Sequence, residues 1–351
     1  MTSLAFPYRA QPRSQGAHQG VLLAALLVAV ALLATACGGG LDWRKQTLSL
    51  QAQGFHFTGT NIQGVAWSGS GVWLDEKTIL TNAHVAGKSL KLKGKDDYGT
   101  EYNFTHITSY DANLDIAVLR AESPAEVDPL PLVSRPGDPK EMRGTKVLAI
   151  GNTGGQGLSR YTGEITNVVG DPSQENLVHS ADISSGSSGG PLYSEESGEL
   201  LGINKSINLA LRQSFATPAW LVQGVIEKGK GSGVALTEAF DPKNLPITLD
   251  VKREFCLEPG QKLVAPVNIV GVADLVALLN FTTEGTPLFF GLIRGDQLMS
   301  KGVLTANLVA AWSLPGSGVY AVILVNPPTA TAKACGVVGV GRMAWEKRIH
   351  K

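Results

Sequence analysis

The chain has 351 residues, and 30 lysines and arginines balance 30 aspartates and glutamates. A net charge of zero provides no global field for nucleic acid or an anionic membrane, so any electrostatic steering is local. Charged residues are sparse at 17% while glycines number 41, and short apolar runs between turn signals read as mainly β.

Residues 1–36 read as an export signal. Arg9 and Arg13 precede an uncharged run from Val21 to Ala36. That run is shorter than the ~20 residues a membrane-spanning helix needs. Two cleavage readings compete. Ala34-Thr35-Ala36 fits an ordinary secretory signal peptidase, which leaves a secreted or periplasmic protein. Leu32 to Cys37 also resembles a bacterial lipobox, in which Cys37 becomes the lipidated first residue and anchors the protein to the membrane of the cell envelope. Lipidation accounts for the odd cysteine count, and it leaves Cys256 and Cys335 to pair as a disulfide in an oxidising compartment.

Residues 37–46 read as a tether. Over 47–230, short alternating runs such as Gly71-Val72-Trp73-Leu74 and Lys146-Val147-Leu148-Ala149-Ile150 predict barrels of antiparallel strands. Pro136-Gly137-Asp138-Pro139 marks the crossing between two halves. A helix opens with Thr217 as N-cap and Pro218 in its first turn, carries an apolar face of Trp220, Leu221, Val225 and Ile226, and ends at Lys228-Gly229. A glycine-rich hinge leads into a linker at 231–245. Strand-like runs over 246–343 predict a smaller β-sandwich closed by Cys256–Cys335, and residues 344–351 read as a solvated basic tail.

Three separated segments carry candidate chemistry. Hydrolysis by a serine requires a base for the hydroxyl proton, a group that orients that base, and donors for the oxyanion. Gly186-Ser187-Ser188-Gly189-Gly190-Pro191 offers Ser188 as nucleophile, with the amides of Gly186 and Ser188 as oxyanion donors. Thr81-Asn82-Ala83-His84-Val85 places His84 just after a strand, and Leu114-Asp115-Ile116-Ala117-Val118-Leu119 places Asp115 at the mouth of another. The order His, Asp, Ser is one of the known triad orders. Asp111, before the turn-like Ala112-Asn113, reads as a turn residue, and His56, His106 and His179 lack a comparable setting. No metal-ligand spacing or phosphate loop is present, so no metal or cofactor is implied.

These motifs, with the Ala149-Ile150-Gly151-Asn152 turn, resemble the trypsin-fold serine peptidases, and specifically their bacterial high-temperature-requirement (Deg-like) branch, over about residues 60–228. The resemblance implies a double β-barrel and a serine endopeptidase acting on polypeptides, unfolded or exported ones, with His84 as general base, Asp115 as its orienter and Ser188 as nucleophile. It also places Asp182, six residues before Ser188, at the floor of the primary specificity pocket; a solvent-facing loop aspartate is the competing reading. Ser187 stands where relatives activated by cleavage carry an aspartate, which predicts no zymogen-type insertion of a new N-terminus. After the hinge no PDZ-like carboxylate-binding loop is found. Two further readings stay open: a catalytically quiet binding or chaperone-like module, and an adhesion role centred on the C-terminal sandwich.

Overall fold

The computed structural model describes residues 41–229, 231, 233–271, 273–282, 287–304 and 308–350. The export signal, Cys37 and the first four residues of the tether, 37–40, lie outside the described residues. After a short helix α1 (Trp43–Gln46) come β1 (Thr47–Gly59), β2 (Asn61–Trp73), β3 (Thr78–Thr81), β4 (Ser89–Lys95), β5 (Glu101–Asp111) and β6 (Ile116–Ala121). They pair in the order β1-β2-β3-β6-β5-β4, and β4 returns to β1, which closes a six-stranded barrel. Period-2 burial along β1, with one register shift at Gln53/Gly54, sends Leu48, Leu50 and Ala52 and then Phe55 and Phe57 into a core with Trp73, Phe104 and Leu119.

A second closed barrel follows from β7 (Lys146–Gly151), β8 (Ser159–Val169), β9 (Asn176–His179), β10 (Pro191–Ser194), β11 (Leu200–Asn208) and β12 (Gln213–Pro218). Val147, Ala149, Ile165, Leu177, Leu192 and Ala216 fill it. The segment from 122 to 145, with its short turn Pro139–Met142, joins the two barrels.

Helix α3 (Ala219–Lys228) starts one residue later than expected. Pro218 holds the N-cap position, because the Thr217 hydroxyl donates instead to the Leu114 carbonyl of the other barrel at 2.8 Å. Its buried face is Ala219, Val222 and Val225, rotated from the predicted stripe, and Trp220 is only half-buried.

The region read as a free linker is packed. Strand β13 (Val234–Ala235) pairs with β5, and helix α4 (Leu236–Ala239) with Phe240 buries its apolar side chains in the first barrel's core.

Strands β14 (Ile247–Leu257), β15 (Lys262–Ile269), β16 (Asp274–Thr282), β17 (Leu288–Arg294), β18 (Gln297–Leu304), β19 (Leu308–Ser313), β20 (Gly318–Val325) and β21 (Ala334–Met343) form two facing four-stranded sheets, β19-β16-β21-β14 and β15-β20-β17-β18. Phe290, Trp312, Leu292 and Val338 lie in the core of this sandwich. Cys256 and Cys335 sit directly opposite on β14 and β21 and form the disulfide. The sandwich is continuous with the first barrel: β1 runs beyond its barrel and pairs with β19, Thr58 opposite Trp312 and Gly59 opposite Ala311. The last residues are not a solvated run. They form α5 (Glu346–Ile349), with Trp345 and Ile349 buried in the first barrel's core, because these two apolar side chains outweigh the intervening charges.

Candidate active site

The two barrels meet at a cavity of about 830 Å³, lined among others by His84, Asp115, Gly186, Ser188 and Lys205. The first barrel provides His84 and Asp115. His84 lies in α2 (Ala83–Ala86), one turn that starts directly after β3. The Thr81 hydroxyl donates to the Ser70 carbonyl, the Asn82 side-chain Nδ2 to the Asp115 carbonyl, and the Trp67 indole to the Val85 carbonyl at 2.8 Å. These three bonds fix the turn from both sides. Asp115 has φ 59°, a left-handed conformation that aspartate tolerates better than most residues. Its buried carboxylate accepts from the His84 backbone amide at 2.9 Å and bonds His84 Nδ1 at 2.7 Å. The second link assigns Nδ1 as donor to the carboxylate and leaves Nε2 free to accept a proton. Asp111 accepts from the amides of Asn113 and Leu114, both at 3.0 Å, and so closes the turn before Asp115.

Ser188 comes from the second barrel, in the loop between β9 and β10. Gly186 at φ 95° and Gly189 at φ 86° give this loop its shape. A Cβ at Gly186 would stand 2.1 Å from the Asn152 carbonyl oxygen, and one at Gly189 would stand 2.2 Å from that of Ser70, so no side chain fits either place. The Ser70 hydroxyl bridges the barrels: it donates to the Gly186 carbonyl at 2.8 Å and accepts from the Asn152 amide at 2.8 Å. Among the described residues the Gly186 and Ser188 amides have no hydrogen-bond acceptor, which leaves both open to an oxyanion. Ser188 Oγ donates to the Lys205 carbonyl at 3.3 Å, and no hydrogen bond joins it to His84. Ser187 is buried, its hydroxyl bonded to that of Thr153 at 3.0 Å.

Burial against the cleft lowers the pKa of His84, but the charge and hydrogen bond of Asp115 more than offset this, and the pKa ends above the ordinary 6.5. Lys205 opposes that rise. Burial holds the ammonium of Lys205 below its usual range, partly countered by Asp115, and among the described residues it makes no ion pair.

The structure brings His84, Asp115, Ser188 and Gly186 together at one cavity. Asp182 is not there: it is exposed, between the buried Ala181 and Ile183, and does not line the cavity, which favours the loop reading. Lys205 and the His56–Trp67 stack, 5.5 Å between ring centroids, were not picked out by sequence reasoning. Lys205 follows a buried strand segment with no motif of its own, and His56 reaches the cavity only because β1 is long.

Two six-stranded barrels, one giving a hydrogen-bonded histidine and aspartate and the other a serine in a glycine-rich loop, make an arrangement similar to that of the trypsin-like serine peptidases. Residues 69–203 match the family described as "Trypsin-like peptidase domain". The chain is 33% identical over 176 residues to "Protease Do-like 1, chloroplastic" of Arabidopsis thaliana, covering 46% of this chain and 39% of that one. It is 28% identical over 209 residues to "Serine protease HTR4" of Rattus norvegicus, covering 56% and 42%. The "Rv3671c protease from M. tuberculosis, active form" aligns at a TM-score of 0.46 with 20% identity, over 67% of this chain and 98% of that one. The chain thus spans about two fifths of the length of the curated relatives it matches.

Proposed function

We propose that the chain is an exported serine endopeptidase in which His84, Asp115 and Ser188 form the triad. The observation that carries this is the bond of His84 Nδ1 to Asp115 at 2.7 Å in the cavity that also holds Ser188 and two unpartnered amides. Ser188 Oγ turns from the Lys205 carbonyl toward His84 and attacks the scissile carbonyl carbon, and His84 Nε2 takes its proton. The oxyanion rests on the Gly186 and Ser188 amides. As the tetrahedral adduct collapses, the C–N bond breaks and the leaving amine receives the proton from His84. Water, deprotonated by the same imidazole, then hydrolyses the acyl-enzyme and restores Ser188. The hydrogen bond to Asp115 keeps the imidazole in the required tautomer and favours its charged form.

Polypeptide substrates are supported by the protease relatives, and exported ones by the signal-like residues 1–36 and by the Cys256–Cys335 disulfide, which suits an oxidising compartment. Anchoring through a lipid on Cys37 is read out by the intact mass of the mature protein; a mass without acyl chains removes it. The triad is tested by labelling with a fluorophosphonate. The parent chain should label at Ser188, Ser188→Ala should not, and Asp115→Asn should lose on the order of 10⁴ in turnover. The engagement of Ser188 Oγ with Lys205 favours a second reading, a catalytically quiet binding module. A folded parent chain that does not label would favour that reading instead.

A further inference from the structure

The C-terminal sandwich does not hang apart from the cavity. Val270, Gly271, Ala273 and the turn Leu314-Pro315-Gly316 line the same cavity as His84 and Ser188. Contact is backbone on backbone: a Cβ on Gly271, at φ 74°, would lie 2.1 Å from the Ala112 carbonyl oxygen, in the turn that leads to Asp115. Beneath lies a buried polar bridge. Lys88, two residues beyond α2, donates to Asp274 at 2.5 Å and to the Ser313 hydroxyl at 3.0 Å. Asp274 accepts the Trp345 indole at 3.1 Å, and the Ser313 hydroxyl accepts the Phe57 amide at 3.0 Å. The side chains of Lys88 and Asp274 are 12% and 3% exposed, so solvent screens the pair little. Removing either partner would strand a buried charge. The sandwich wall is therefore fixed against the segments that carry His84 and Asp115.

The exposed face of this wall carries apolar side chains beside Ser317. Val270 is 39% exposed, Pro315 is exposed and Leu314 half-buried, and Trp67 lines the cavity with them. Of the acidic groups nearby, Asp274 is paired with Lys88, Glu175 with Arg135 at 2.8 Å, and Asp115 is bonded to His84.

We infer that Val270 and the Leu314-Pro315-Gly316 turn form a substrate subsite, supplied by the C-terminal sandwich, that grips apolar side chains of an extended polypeptide lying in the cavity. The inference rests on the protease reading of that cavity, and its test is independent of catalysis. The full chain carrying Ser188→Ala is titrated against fluorescein-labelled β-casein, an unfolded polypeptide, by fluorescence anisotropy. Adding Val270→Asp or Pro315→Asp, both at exposed positions, should raise Kd about tenfold, the loss of one apolar contact. Thermal melts of the same proteins verify that the variants fold. A Kd within about twofold of the Ser188→Ala protein in folded variants, or no binding by that protein at all, overturns the subsite. Fluorophosphonate labelling of the parent decides the catalytic reading separately, so the two ideas fail by different measurements.

Discussion

A general base works only when neutral, so the pKa of His84 sets where activity disappears on the acid side. Burial pulls that value down, Asp115 raises it more, and the outcome lies above 6.5; the acid limb of the rate should therefore lie above pH 6.5 as well. Lys205 is the cation that holds the rise in check, and its ammonium has no partner among the described residues. Lys205→Met removes a charge that disfavours the imidazolium, so the limb should move further up in pH. The rate of fluorophosphonate labelling against pH reads this directly. A limb that stays in place, or moves down, would mean that Lys205 does not act on His84. The carboxylate partner works in the opposite sense: in Asp115→Asn the limb should fall, since the same substitution deletes the main raising influence.

At the level of elements, the short C-terminal helix tests how tightly distant segments are joined. The Trp345 ring packs edge-on against Phe240 at 5.5 Å, and Phe240 against Tyr110 at 5.8 Å, while His350 Nε2 accepts the Tyr110 amide at 3.2 Å. Trp345→Ala leaves a void in the first barrel's core and frees a bond to Asp274. It should cost about 3–5 kcal/mol in denaturant unfolding. A change under about 1 kcal/mol would mean that the helix contributes no packing of consequence. The sequence made the triad segments legible because each is a local signal: a residue type set at the mouth of an apolar strand, or a serine held between glycines. The role of Lys-Arg-Ile-His at the end was not legible, since its meaning comes from a barrel strand 240 positions earlier. The same holds for Thr217, whose hydroxyl caps no helix and instead ties Leu114, and for the linker, whose Leu236 and Phe240 find a core that local pattern does not reveal. The two readings of Asp182 stayed open in the sequence for a related reason: an offset along the chain does not say which way a loop side chain points.

Across the molecule, one strand belongs to two bodies. β1 pairs with β2 and β4 inside the barrel and with β19 outside it, so the sheet that begins in the first barrel runs on into the sandwich. Separate domains joined by a linker ordinarily unfold in separate steps. Here the shared strand, the buried Lys88–Asp274 bridge and the docked C-terminal helix mean that melting the sandwich also strips apolar and charged groups of the first barrel. Barrel and sandwich should therefore melt in one calorimetric transition. The disulfide is a handle on that coupling, because it lies on β14 and β21, on the far side of β16 from β19. It joins cysteines 79 positions apart. Its loss should remove about 4 kcal/mol by constraining the unfolded chain less. In the Cys256→Ser/Cys335→Ser protein the whole transition should shift down together, and the temperature at which Ser188 ceases to label should fall with it. If the sandwich melts early while labelling survives to the parent's temperature, the shared strand does not couple the two bodies, and the sandwich stands on its own.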